Sequence, residues 1–212
     1  GSVEPHYFGG YTGGRKAFLP GIASYRTIEQ NHRYAILPEP RALLLEGNPV
    51  HEDMIDAIKT VADKEIFSIQ TVLDSQRRIY AATTGDIHAS FDAAIDAANE
   101  VFCVKVPCKA DVVVSVAPYP MDVDLYQSQK ALDNGKLALQ DDGILIMVSK
   151  CRMGLGERSF FELLAGSDTP RAALDRIAEE YRLGWHKAAK MAEIAVWAQM
   201  WAVTDLPDDE VS

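Results

Sequence analysis

The chain of 212 residues is short of cysteine, short of histidine and short of positive charge. Its three cysteines, Cys103, Cys108 and Cys151, are an odd number with no CxxC spacing. That pattern argues against a disulfide framework and a structural zinc site, and it suits buried thiols in a reducing cytoplasm. No apolar run reaches the roughly 18 residues of a membrane span. No basic segment leads into an apolar one, as a signal peptide requires. Lys and Arg number 21 against 31 Asp and Glu, a formal net charge of −10, which argues against nucleic acid as the main partner. Part of that charge is local, in Asp205, Asp208, Asp209 and Glu210.

Several catalytic signatures are also missing. The five histidines form no HExxH or HxH pair, so local spacing defines no metal site. Gly14 is followed by Arg15, Lys16 and Ala17 with no strand before it, which is not a Walker A loop. No GxGxxG follows a strand with an acidic residue about 20 positions on, which argues against a nicotinamide dehydrogenase.

What is present begins with 48% hydrophobic residues, enough for a sizeable core. Residues 1–23 are glycine-rich and aperiodic. A helix is predicted from Ser24, with capping-box spacing at Thr27 and Gln30, followed by a short strand at 42–46. Met54, Ile55, Ile58, Val61 and Ala62 mark an amphipathic helix over 51–62. "EIFSIQTVL" and "RRIYAATTG" read as a hairpin joined at "DSQ", and 87–102 as a further helix. The character changes near Val104. "ADVVVSVAP" (110–118) and "GILIMVSKC" (143–151) read as strands buried on both faces. Helices are predicted over 124–139, 157–165, 170–181 and 185–198, and a strand over 199–204. The fold class is therefore α/β, in two small α/β parts (1–103 and 104–212), the second a parallel sheet flanked by helices.

Three stretches could carry chemistry. In "PHYFGGYTGGRK" (5–16), glycines would let amides approach an anion while Arg15 and Lys16 supply charge. The competing reading is a flexible loop with solvated basic residues. In "YPMDVDLYQSQKAL", Tyr126, Gln127 and Lys130 share one face of a helix that starts beyond the carboxyl end of a strand. A lysine and an amide beside a positive helix end suit a small carboxylate or phosphate, and the alternative is a solvated amphipathic helix. In "SKCRMGLGERSFFELL" a lone Gly-x-Gly is explained by loop geometry. Taken singly, His51 and His88, at helix starts, read as structural or solvated, and His186, which opens a helix beside Lys187, as an ordinary side chain.

"EPHYFGGYTGGRKAFLPGIASYRTIEQNH", "GNPVHEDM", "YPMDVDLYQSQKALDNG" and "CRMGLGE" closely resemble the nickel-dependent lactate racemase family, and the resemblance covers nearly all of the chain. It implies a nickel pincer nucleotide, a pyridinium-3-thioamide-5-thiocarboxylic acid mononucleotide that holds nickel through sulfur, carbon and sulfur. It implies that Lys16 tethers this cofactor, that His32 is the protein ligand to nickel, and that His6 is one of two catalytic histidines. It implies that Tyr126, Gln127 and Lys130 contact a small 2-hydroxy acid. The reaction implied is racemisation by a hydride relay, with cofactor-maturation proteins as partners in the cytoplasm. On this reading the glycines between His6 and Lys16 keep the backbone thin enough to wrap the ligand. Residues 1–103 would be the remaining C-terminal half of a cofactor-binding domain, and 104–212 a substrate-contact domain. The family's second catalytic histidine and a carboxylate-binding arginine lie upstream of the motif around His6. Gly1-Ser2 without methionine reads as a tag scar, and Pro207 with the acids after it as the first turn of a helix. The chain is thus expected to be cut from a longer one at both ends and inactive alone. The alternative is a nucleotide- or carboxylate-binding module without turnover.

Overall fold

The computed structural model describes residues 1–208. It divides into two compact units, Gly1–Lys105 and Val106–Ser212.

The first unit starts with two very short paired strands, β1 (Pro5–His6) and β2 (Gly10–Tyr11), and a 3-10 turn over Gly14–Ala17. Helix α1 (Tyr25–Arg33) is capped by Ser24, whose hydroxyl accepts from the Thr27 amide. The cap therefore falls three residues before the Thr27 expected from spacing, because Thr27 is the position that Ser24 satisfies. Helix α2 (Pro49–Lys59) starts at Asn48 with proline in its first turn. Strands β3 (Ser68–Leu73) and β4 (Ile79–Gly85) form the expected antiparallel hairpin. Helix α3 (Ile87–Phe102) covers it, capped by Asp86. The strand expected over 42–46 does not form. Ala42 makes an isolated bridge to Gly10, and Leu43 at φ 68° breaks the extended run.

Two small cores hold this unit. Val3, Tyr11, Val72, Phe91, Ala94 and Ala98 join the opening segment to β3 and α3. Phe8, Leu19, Ala35, Val50 and Met54 join it to α1 and α2. The glycine-rich opening is therefore ordered by packing on both sides, and the Val3 amide donates to the Thr71 carbonyl (2.8 Å).

The second unit is a three-stranded parallel sheet in the order β5 (Ala110–Val116), β6 (Leu139–Val148), β7 (Gln199–Val203). Helix α4 (Leu125–Gly135) connects the first pair. Helices α5 (Arg158–Ala165), α6 (Pro170–Glu179) and α7 (Trp185–Ala195) connect the second. One core, Leu132, Leu139, Leu145, Met147 and Ile194, lies where α4 and α7 meet the sheet. The opposite face is open. Val114 and Val116 on β5 are each 59% exposed, and Trp201 on β7 is 54% exposed. The expectation that β5 is buried on both faces is thus corrected. It is an edge strand, and the helices cover only one side. No helix among the described residues is long and apolar enough to cross a membrane. The helical turn expected over Asp209 and Glu210 lies outside the described residues.

Candidate functional site

In the first unit, Phe8 is the hub. Its ring is 2% exposed and anchored in the core beside α1 and α2. The His6 ring meets it edge-on at 4.6 Å, and the His32 ring does the same at 5.2 Å. Lys16 Nζ lies 5.8 Å from its centroid, within reach of the ring's negative face. The structure thereby gathers His6, Lys16 and His32, the three sequence candidates of this unit, around one aromatic side chain. Phe8 itself was not singled out by sequence, because a lone Phe between glycines carries no chemical signature.

Burial, and after it the positive charge of Lys16, pushes the His32 imidazolium down to about 4, with a backbone hydrogen bond at Ile28 opposing. At neutral pH His32 is therefore a neutral imidazole with a lone pair to give, the form that binds metals. Lys16 also lines a cavity of about 500 Å³ with Thr12, Gly13, Gly14, Ser68 and Gln70. That volume is within the range of small-molecule and cofactor pockets, though of the residues gathered around Phe8 only Lys16 lines it. Among the described residues no group of three or more His, Cys, Asp or Glu could hold a metal ion. A metal that arrives already held by an organic ligand needs only one protein donor, and the neutral His32 meets that need. The residues present fit a lysine-tethered, metal-carrying nucleotide on these grounds.

The glycines serve the packing of the chain itself. A Cβ on Gly10, at φ 73°, would lie 2.4 Å from the Leu44 carbonyl oxygen. One on Gly14, at φ 50°, would lie 2.9 Å from the Phe91 ring. These glycines let the chain pack against itself at positive φ, and Gly13 and Gly14 also line the cavity. Arg15 is not a solvated cation. It is 1% exposed, donates from Nη2 to the Gly9 carbonyl at 2.5 Å, and sits 4.5 Å over the Phe91 ring. Burial lowers its pKa to about 10, with Asp92 opposing. His51 is half-buried at the start of α2. Burial, then Arg15 and His88, push it down to about 4.

In the second unit, Tyr126, Gln127 and Lys130 occupy the first turns of α4 and are all half-buried. The helix end is not available to an anion as its sequence suggested. The Leu125 amide donates to the Gly154 carbonyl (3.1 Å), that of Tyr126 to the Leu155 carbonyl (3.2 Å), and that of Gln127 to Asp124 Oδ1 (2.6 Å). The Gly-x-Gly loop is thus a backbone cap for α4. Gly156 is required there, since a Cβ would lie 2.8 Å from both the Asp124 carboxyl carbon and Tyr126 Cβ. Any recognition by α4 rests on side chains.

Sequence reading also missed Lys187. It is 4% exposed in the first turn of α7, donates to the Tyr126 carbonyl at 2.8 Å and lies 3.5 Å over the Tyr126 ring. Burial, then Lys130, lowers its pKa to about 7, with Asp124 and Asp133 opposing. A second lysine thus stands near Lys130. The only sequence signal was its place beside His186 at a helix start.

Comparison with known proteins finds relatives for most of the chain. A family model described as the lactate racemase C-terminal domain matches residues 105–206, and one described as the lactate racemase N-terminal domain matches residues 1–43. A lactate racemase of Lactiplantibacillus plantarum is 34% identical over 220 aligned positions, covering 100% of this chain and 51% of that protein. One from Thermoanaerobacterium thermosaccharolyticum is 34% identical over 184 positions, covering 86% of this chain and 43% of that protein. The chain spans about half the length of the curated relatives it matches. The solved lactate racemase apoprotein from the latter organism superposes with a TM-score of 0.90 at 32% identity, covering 96% of this chain and 50% of that one. A Thermotoga maritima protein shares the fold alone, at 15% identity and a TM-score of 0.72. The chain belongs to the lactate racemase family.

Proposed function

We propose that this chain forms part of a racemase or epimerase of lactate-type 2-hydroxy acids that uses a lysine-tethered nickel pincer nucleotide. The observation that carries this reading is the gathering of His6, Lys16 and a neutral His32 around Phe8. Lys16 tethers the nucleotide at the wall of its cavity, and His32 supplies the protein's donor to nickel. Such a nucleotide, when bound, supplies a reversible acceptor for the hydrogen on C2 of the substrate.

The residues of this chain do the rest. His6 exchanges a proton with the substrate oxygen at an imidazole nitrogen. Lys130, a point charge with three donors, and Gln127 hold the carboxylate or the developing oxyanion, and Tyr126 lies beside them. Inversion needs a second base on the opposite face of the substrate, and the proposal assigns none of the described residues to that role.

The test is mass spectrometry of the peptide containing Lys16, from protein co-expressed with the cofactor-maturation proteins of a relative. A sulfur-rich nucleotide adduct on Lys16 is expected. An unmodified Lys16, where a relative is loaded in parallel, overturns the racemase reading in favour of a binding module without turnover.

A further inference from the structure

The Gly9 amide donates to His6 Nδ1 at 3.1 Å. An amide nitrogen offers a proton and no lone pair, so Nδ1 is the acceptor and carries no proton. Neutral His6 then carries its proton on Nε2. In that form the ring presents a donor at Nε2. A base working at Nε2 needs the other tautomer, whose Nδ1 proton would point straight at the Gly9 N–H.

Gly9 is gripped from its other side as well. Arg15 Nη2 donates to its carbonyl at 2.5 Å. Arg15 Nε and Nη1 are buried and have no hydrogen-bond partner among the described residues. Keeping a guanidinium 1% exposed on a single acceptor and one aromatic face is costly. A stabilising ion pair does not account for it, whereas a fixed Gly9 carbonyl does. The turn between β1 and β2 is thus held by the His6–Gly10 ladder pair, by the Gly9 amide on His6, and by Arg15 on Gly9.

We infer that Arg15 and Gly9 form a latch that fixes neutral His6 as its Nε2-protonated tautomer. Arg15 is then a positioning residue for His6. With the latch closed, His6 donates a hydrogen bond that polarises the substrate oxygen. To take a proton at Nε2, it must first release the Gly9 amide. The imidazolium that returns the proton also carries one on Nδ1, so proton exchange by His6 in either direction requires the Gly9 amide to be released. The functional consequence rests on the proposed role of His6 in racemisation. The latch belongs to this chain alone and is read without substrate or cofactor.

The test is nitrogen NMR of the chain labelled with nitrogen-15, at about pH 8, where ordinary imidazoles are neutral. For His6, an unprotonated Nδ1, a protonated Nε2 and a coupling across the hydrogen bond between the Gly9 nitrogen and Nδ1 are expected. A protonated Nδ1, or no such coupling, overturns the latch in the wild-type protein without recourse to any variant. Arg15→Met, which keeps the stem and removes the donors, is expected to move His6 to a mixture of tautomers, with small shifts at His51, which feels the Arg15 charge, and none at His88 or His186. Arg15→Lys, which keeps a donor, is expected to restore much of the wild-type pattern. An Arg15→Met variant that keeps the wild-type tautomer would show that Arg15 does not set it. Because the Lys16 adduct is measured separately, loss of the latch and loss of the racemase reading are distinguishable.

Discussion

His6 sits on a two-residue strand, Lys16 on a 3-10 turn and His32 in the last turn of α1, whereas Tyr126, Gln127 and Lys130 sit on the first turns of one helix. The first group is held by rings and buried polar side chains: Phe8 at the centre, Arg15 on Phe91, and Asn48 on the Phe8 carbonyl. The second is held by backbone, with the amides of α4 already paired to the 154–155 carbonyls and to Asp124. A site built from side chains depends on individual residues, and a site built from backbone depends on the fold around it. The two units should therefore respond differently to single substitutions. All three tryptophans, Trp185, Trp197 and Trp201, lie in the second unit, so their fluorescence reports that unit and tyrosine or NMR signals report the first.

The largest effect is expected from Phe8→Ala. Truncating a buried Phe costs about 3–5 kcal/mol, and here it also removes the surface that His6, Lys16 and His32 share. In urea, the first unit should unfold at clearly lower denaturant while the tryptophan midpoint stays put. An equal shift of both probes would show that the units unfold together, and the contrast between them would fail.

The legible parts of the molecule are those where a local pattern fixes the outcome. Helix α3 occupies the expected 87–102, because its apolar spacing and the Asp86 cap agree. The helices of the second unit begin within a residue of expectation and end up to four residues early. Strand β5 shows the limit. Its run of valines records a preference for burial, but what covers a strand is decided by sheet order and by which side the crossovers take. The same holds for the candidate sites. Lys16 and His32 stand out through resemblance to a family, since nothing in their spacing marks them. Phe8, Arg15 and Lys187 owe their positions to partners far along the chain. Phe91 lies beneath Arg15, and Tyr126 lies beneath Lys187. No window of sequence contains both members of either pair.

The next largest effect is that of rising pH, which raises stability in both units but over separate windows. His32 has its folded pKa lowered from 6.5 to about 4. Its contribution to stability is complete above about 6.5 and is lost as pH falls toward 4, because the unfolded chain takes up the proton first. The slope between these limits is up to about 1.4 kcal/mol per pH unit. His51 acts in the same direction but more weakly, because water screens its half-exposed ring. Lys187 has its folded pKa lowered from 10.5 to about 7. The second unit should therefore gain stability as pH rises from 7 toward 9, again by at most about 1.4 kcal/mol per unit. Urea titrations followed by tryptophan fluorescence should show that rise, and Lys187→Met should flatten it. A rise that persists in Lys187→Met would assign it to another group.

The smallest effect compares two helix caps. Asp124 accepts from the Gln127 amide and does little else for the backbone, so Asp124→Ala should cost about 1 kcal/mol, read by tryptophan. Asn48 also caps a helix, accepting from the Val50 amide at 3.1 Å. In addition it is fully buried, and its amide donates to the Phe8 and Leu44 carbonyls at 2.9 and 3.0 Å. Asn48→Ala removes the cap and leaves those two carbonyls without that donor, each at about 1–3 kcal/mol. It should therefore cost at least twice as much as Asp124→Ala, and it should disturb the His6 and His32 signals through Phe8. Asn48→Asp keeps the cap and loses the two donors, so it separates the contributions. If it behaves like wild type, the cap alone matters, and the first site rests on backbone as much as the second.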